Sequence, residues 1–177
     1  LSSPTGGRQK RHRSHRSGRD VDLLFYVLTP DGRSLDNPGF LHFAADGLAA
    51  DGDRFVRLDL DRNWLLVKAL AGDERSLTQW LFVARWIEAL LMEHALALGE
   101  KDALLVKAAA VMRQPSDSAS HDDHFHLRIA CSFEDELAGC EGGPPHWRWH
   151  PKPPQIAALS DTELLSALLD DVPAASR

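Results

Sequence analysis

Apolar residues fall in short blocks along the chain, most of them bounded by Gly, Pro or Asp. "DVDLLFYVL" (20–28), closed by the turn "TPDG", predicts a strand. Residues 31–53 are rich in Gly and Asp with brief apolar patches such as "GFLHFAA", which predicts irregular structure or a small hairpin. "DRNWLLVKALAG" (61–72) opens on an Asp and closes on Gly, the punctuation of a helix. "QWLFVA" (79–84) reads as a short buried strand. "RWIEALLMEHALALG" (85–99) puts Ile87, Leu90, Leu91, Ala95 and Leu98 at helical spacing and stops at Gly99. "KDALLVKAAAVMRQ" (101–114) predicts another helix, ended before Pro115, and "SDSASHDD" (116–123) a loop. "HFHLRIAC" (124–131) alternates as a strand does, and "GGPPHWRWHPKPP" is extended. Residues 160–171 predict a short helix, with Ser160 and Glu163 at capping-box spacing. Helices mixed with a few strands, without repeats, favour an α+β fold. The expected organisation is a basic arm over 1–19, a core over 20–145, and a Pro-rich segment and helix over 146–177 in the same domain.

Composition narrows the class. The 177 residues suit one domain, able to bury about 70% of its unfolded surface. Apolar residues make up 44% and charged residues 26%, the balance of a soluble globular chain, and no apolar run reaches a membrane span. A net charge of −6 argues against nucleic acid as a partner. The charge is uneven: "RQKRHRSHRSGR" (8–19) holds six Arg or Lys and no acid, which reads as a solvated arm or as a surface for an anionic polymer. "LSSPTGG" (1–7) lacks the apolar core of a signal peptide, so any targeting segment is expected upstream. Cys131 and Cys140 either close the loop "CSFEDELAGC", worth about 2–3 kcal/mol, or remain a free pair; their spacing is not that of a CxxC metal or redox motif.

Three of the nine histidines, His121, His124 and His126, crowd into "SHDDHFHLRIAC". On a strand, residues two apart share a face, so His124 and His126 present two imidazoles side by side, as Asp20 and Asp22 present two carboxylates on the earlier strand. A catalytic zinc takes three protein ligands from His, Asp or Glu and keeps one position for water. An HxH pair with a neighbouring carboxylate meets that demand. A lone HxH is most often surface polarity; a third histidine just ahead and the upstream cluster "HRSHRSGRDVD", which also feeds a strand, raise the metal reading above that background.

Those two strings resemble the penicillin-insensitive murein endopeptidase family, zinc peptidases of the group that includes lysostaphin, the D-Ala-D-Ala metallopeptidases and the hedgehog signalling domain. The shared element is a His, six residues, an Asp, and a later HxH; here these are His15, Asp22 and His124-Phe125-His126. "SHxSGxDVD" and "HDxHFHxR" are more specific than the bare spacing, and the likeness runs well over residues 8–131 and weakly after Cys140. The resemblance implies a hedgehog-like α+β fold with a small antiparallel sheet carrying the zinc. It implies that His15, Asp22 and His126 hold the metal, that His124 is the catalytic base and that His121 lies beside the site, orienting or stabilising. His12 matches a family histidine that touches a second metal; no partners for such a site stand out between 36 and 60. The resemblance also implies peptidoglycan stem peptides as substrate, a periplasmic location, and a Cys131–Cys140 disulfide. Family members carry a longer segment ahead of the first motif than the dozen residues present here, which points to a fragment or a short divergent member.

The chemistry is consistent with that likeness. Zinc held by two neutral imidazoles and one carboxylate keeps a positive charge, enough to bring the pKa of a bound water toward about 7. A histidine beside it can carry the proton to the leaving amine. Alternatives to the metal are missing: no Ser has Lys three residues on, and K-T-G, G-x-S-x-G and H-E-x-x-H are absent. His42 and His94 are expected in surface or packing roles, Asp20 and Asp123 as hydrogen-bond partners of the site or solvated acids. His146 and His150, with Trp147 and Trp149, either flank a cleft or form a packing cluster. The rival functions are a murein D,D- or L,D-carboxypeptidase using the same site, and a zinc-binding module without activity, as in the hedgehog branch.

Overall fold

The structure, a computed structural model, describes residues 18–152. It contains β1 (Asp20–Leu24), β2 (Val27–Leu28), β3 (Ser34–Leu35), β4 (Leu48–Asp51), β5 (Arg54–Leu58), α1 (Leu60–Gly72), a turn of 3-10 helix (Glu74–Ser76), β6 (Thr78–Phe82), α2 (Arg85–Ala97), α3 (Asp102–Val111), β7 (Met112–Arg113), β8 (His124–Ile129) and α4 (Phe133–Leu137). The strands form two four-stranded sheets, in the orders β1-β8-β6-β7 and β3-β2-β5-β4. All pairings are antiparallel except β6 with β7. The α+β expectation holds.

The block 20–28 is not one strand but two, divided between the sheets. Two contacts fix the division, one at Phe25 and one at Tyr26. The Phe25 ring is fully buried, edge-on to Phe43 at 5.7 Å and to Phe125 at 4.8 Å. The backbone of Tyr26 bonds to the side chain of Asn63 instead of a neighbouring strand. The Gly- and Asp-rich stretch resolves into a hairpin, where Asp51 pairs with Arg54 and only Gly52 and Asp53 make the turn. Gly52 has φ +60°, the left-handed value that a two-residue hairpin turn asks of its first central residue.

α1 starts one residue ahead of the expected stretch. Its cap is Asp59, whose Oδ1 accepts the N–H of Arg62 at 3.0 Å, a contact worth about 1 kcal/mol. Helical spacing sets which residues enter the core: Trp64, Val67 and Ala71 from α1, Ile87, Leu91 and Ala95 from α2, and Leu105, Ala108 and Val111 from α3. The expected 101–114 helix ends at Val111, where Met112 and Arg113 pair with β6.

The first sheet has two unlike faces because strand side chains alternate. Val21, Leu23, Leu81, Phe125 and Leu127 pack into the core. Their alternates Asp20, Asp22, Trp80, Phe82, His124, His126 and Arg128 share the other face. Beyond β7 the edge of β6 is covered by the segment after Cys140: Trp147 Nε1 donates to the Gln79 carbonyl at 2.8 Å, and His150 Nε2 contacts the Thr78 carbonyl at 3.1 Å. Cys131 and Cys140 are joined as a disulfide around α4. The expected helix over 160–171 lies outside the described residues.

Candidate metal centre

β8 opens the site. His126 stands directly between Asp22 on β1 and Phe82 on β6, and His124 is paired with Leu24 two positions away. His121 enters from the preceding loop, which is fixed at both polar atoms of its backbone. Its N–H donates to Gln114 Oε1 at 3.0 Å, and its carbonyl accepts the Ala84 N–H at 2.7 Å. The three imidazoles offer nitrogens that all lie within 4.8 Å of one another.

Carboxylates surround them. His126 Nε2 is 2.9 Å from Asp20 Oδ1, and its Nδ1 is 3.0 Å from Asp22 Oδ1. His124 Nδ1 is held by Asp123 Oδ1, and its Nε2 lies 3.4 Å from Asp22 Oδ1. Asp20 Oδ1 also accepts the Nε–H of Arg128 at 2.7 Å. With Nδ1 of His124 and Nε2 of His126 engaged by Asp123 and Asp20, the other nitrogen of each ring is turned to Asp22. Among the described residues, the buried His121 Nδ1 has no hydrogen-bond partner, and neither has Asp20 Oδ2. Buried polar atoms are rarely left this way, and an orphan in a ligand-like cluster marks a place built for something else.

Electrostatics splits the three rings. Burial, followed by the charges of His124 and His126, lowers the pKa of His121 to about 4, so this ring stays neutral as a ligand or acceptor must. Burial also opposes protonation of His124 and His126, but Asp22 and Asp123 around the first, and Asp20 and Asp22 around the second, outweigh it and raise both. Imidazole nitrogens beside a carboxylate are donors of the kind that hold a metal ion, and the residues present fit one.

Of the residues singled out in the sequence, Asp22, His121, His124 and His126 meet here; His12 and His15 lie outside the described residues. Asp20 and Asp123 are direct partners of the histidines. His42 joins the rim through Asp122, with Nδ1 2.7 Å from Oδ1. Arg128 and Phe82 were not singled out, although the period of two that placed His126 also places Arg128 on its face. Gln114 carried no signal, because nothing local ties a helix end to a loop seven residues on. His146, Trp147 and His150 do line a cleft, of about 670 Å³, but at the far end of β8 beside the disulfide. Arg19, the last of the basic run, is no free arm residue: its Nη1 donates to the Ile129 carbonyl at 2.9 Å.

Imidazoles and carboxylates gathered on one sheet face, with an orphaned ring nitrogen among them, have the make-up of a metal-assisted hydrolytic centre. The chain belongs to the penicillin-insensitive murein endopeptidase family, whose model matches residues 1–147 and so extends past Cys140. No curated protein matches the chain. Membership makes it a peptidase directed at peptidoglycan. Among the described residues, no helix is long and apolar enough to cross a membrane.

Proposed function

We propose that the chain is a zinc-dependent murein endopeptidase that hydrolyses D-alanyl–diaminopimelyl cross-links. The observation that carries this reading is the convergence of His121, His124, His126 and Asp22 in a chain of that family. Asp22 and His126, the latter through Nδ1, would hold the ion together with His15. Zinc held there would supply positive charge, which lowers the pKa of water and offsets the charge that develops on the attacked amide.

The remaining work falls to the protein's own groups. Asp123 fixes His124 with Nε2 toward Asp22, where it takes a proton from water and returns it to the leaving amine. Asp20 and Arg128 hold the His126 ring in one orientation, the role a carboxylate partner plays for a ligating imidazole. His121, neutral and half-buried beside both, offers a hydrogen bond to the substrate. The disulfide supports a periplasmic setting, where such bonds persist. The bonds from Trp147 and His150 to β6 support treating residues 146–152 as part of the same unit as the 20–145 core.

Digestion of purified murein with and without a chelator tests the proposal. Cross-linked dimers should become monomers only when metal is present, and zinc should restore the reaction after chelation. Release of terminal D-Ala without loss of dimers would replace it with a carboxypeptidase.

A further inference from the structure

The row that carries the candidate metal centre does not end at the histidines. Asp22 pairs with His126, His126 with Phe82, and Phe82 with Arg113. One cross-strand row therefore runs over all four strands, and its fourth member is a guanidinium on the same face. Neighbouring strands lie about 4.8 Å apart, which puts the backbone of Arg113 roughly 10 Å from that of His126. The guanidinium carbon lies 5.3 Å from the centroid of the Trp80 ring, and Trp80 is stacked on Phe82 at 6.0 Å. An arginine laid on an aromatic face keeps its N–H edge available to a planar acceptor such as a carboxylate.

Arg113 also borders a cavity of about 520 Å³ whose wall includes Arg85, Glu88 and Gln114. Its wall is tied to the loop that carries His121, because Gln114 accepts the His121 N–H and the residue before Arg85 donates to the His121 carbonyl. Among the described residues neither Arg85 nor Arg113 forms an ion pair with an acid. Glu88 is the only acid on this wall. Burial raises its pKa, against the pull of Arg85. α2 begins at Arg85 without a side-chain cap, so the positive end of that helix adds to the same field.

We propose that Arg113, with Arg85 on the wall of the same cavity, anchors the carboxylate that lies beside the scissile amide on the amine side of the substrate. The inference rests on the endopeptidase reading above. In a diaminopimelyl residue, the carbon bearing the amide nitrogen also bears a carboxylate, so this charge stays next to the bond wherever the bond is placed. A charge-assisted, two-pronged contact from an arginine rewards that carboxylate and leaves its amide poorly bound.

The test compares two probes on the full chain with zinc added: the tripeptide L-Ala-γ-D-Glu-meso-diaminopimelic acid, and the same tripeptide amidated at the carboxyl of its amine-bearing centre. Neither contains a cross-link to cut, so affinity is read directly by tryptophan fluorescence. The acid should bind at least tenfold more tightly than the amide. Arg113→Gln should erase that preference, Arg113→Lys should keep part of it, and Glu88→Gln should tighten the acid. Arg85→Gln should weaken the acid less than Arg113→Gln does. Thermal melts of each variant identify any loss of folding; Arg113→Lys and Glu88→Gln keep the question open to refutation if Arg113→Gln is unstable. Equal affinity of wild type for both probes, or a preference that survives Arg113→Gln, overturns the inference. With cross-linked dimers, Arg113→Gln should raise KM far more than it lowers kcat. Dimers left intact by the wild type would sink the endopeptidase reading, while the tripeptide preference would still decide the role of Arg113.

Discussion

Two buried polar networks sit in this fold within one strand of each other. At the start of α1, Asn63 is completely buried and fully engaged. Its Oδ1 accepts the Tyr26 N–H at 3.0 Å, and its Nδ2 donates at 2.8 Å to the carbonyls of Tyr26 and Asp59. Asp59 in turn caps α1 and binds Arg62. On the first sheet, Asp20 and His126 are almost as deeply buried, yet there, among the described residues, Asp20 Oδ2 and His121 Nδ1 have no partner and three imidazole pKa values are displaced. A satisfied network rigidifies: it bends the chain at Tyr26 and sends β1 and β2 into different sheets. An unsatisfied one, with acids and bases pushed off their ordinary values, stores capacity for a ligand or a proton.

Mutations should separate the two behaviours. His124→Ala should lower cross-link hydrolysis by about 10²–10⁴-fold, the range of a lost acid–base group, while bound zinc per chain stays near wild type. Full activity in that variant would remove His124 from the reaction. Asn63→Ala leaves the Tyr26 N–H without its partner, and should cost about 2–3 kcal/mol in denaturant melts with activity per folded molecule unchanged. A comparable loss of activity at full stability would show that the two networks are not distinct in kind. Asp20→Asn should weaken zinc by about 10–100-fold in competition with a chelating dye, with only a minor change in melting temperature. Zinc affinity at the wild-type level would mean that Asp20 does not orient His126.

The smallest effect concerns His150, over the edge of β6. Burial lowers its pKa, against the pull of the Thr78 carbonyl. A histidine whose folded pKa lies below its ordinary 6.5 binds its proton more readily when unfolded. Its contribution is therefore present above pH 6.5 and is lost as the pH falls through the folded value. His150→Gln should flatten the dependence of melting temperature on pH in that window, and an unchanged slope would assign the pH dependence elsewhere.

Much of this was legible beforehand. The alternation in "HFHLRIAC" placed His124 and His126 together, and of the five positions the spacing in α2 picked out, Ile87, Leu91 and Ala95 are buried, Leu90 is half-buried and Leu98 is exposed. Boundaries were less legible where a long-range contact set them. "DVDLLFYVL" has the pattern of a single strand, and it is divided because Asn63, 37 residues away, takes the backbone of Tyr26. Asp59 rather than Asp61 caps α1 because its carboxylate reaches back to the N–H of Arg62.

The sequence by itself determined the ingredients of the site: which side chains share a face, since the strand repeat is local, and which chemistry an HxH, a carboxylate strand and a nearby histidine can support. Only the tertiary structure decided how they meet. The register of β8 between β1 and β6 sets His126 against Asp22 and Phe82, the bond from Gln114 brings His121 in from its loop, and the short β7 ends the row on Arg113. Register and loop closure are settled by the burial of the opposite, apolar face, a property of the whole core that no local pattern contains.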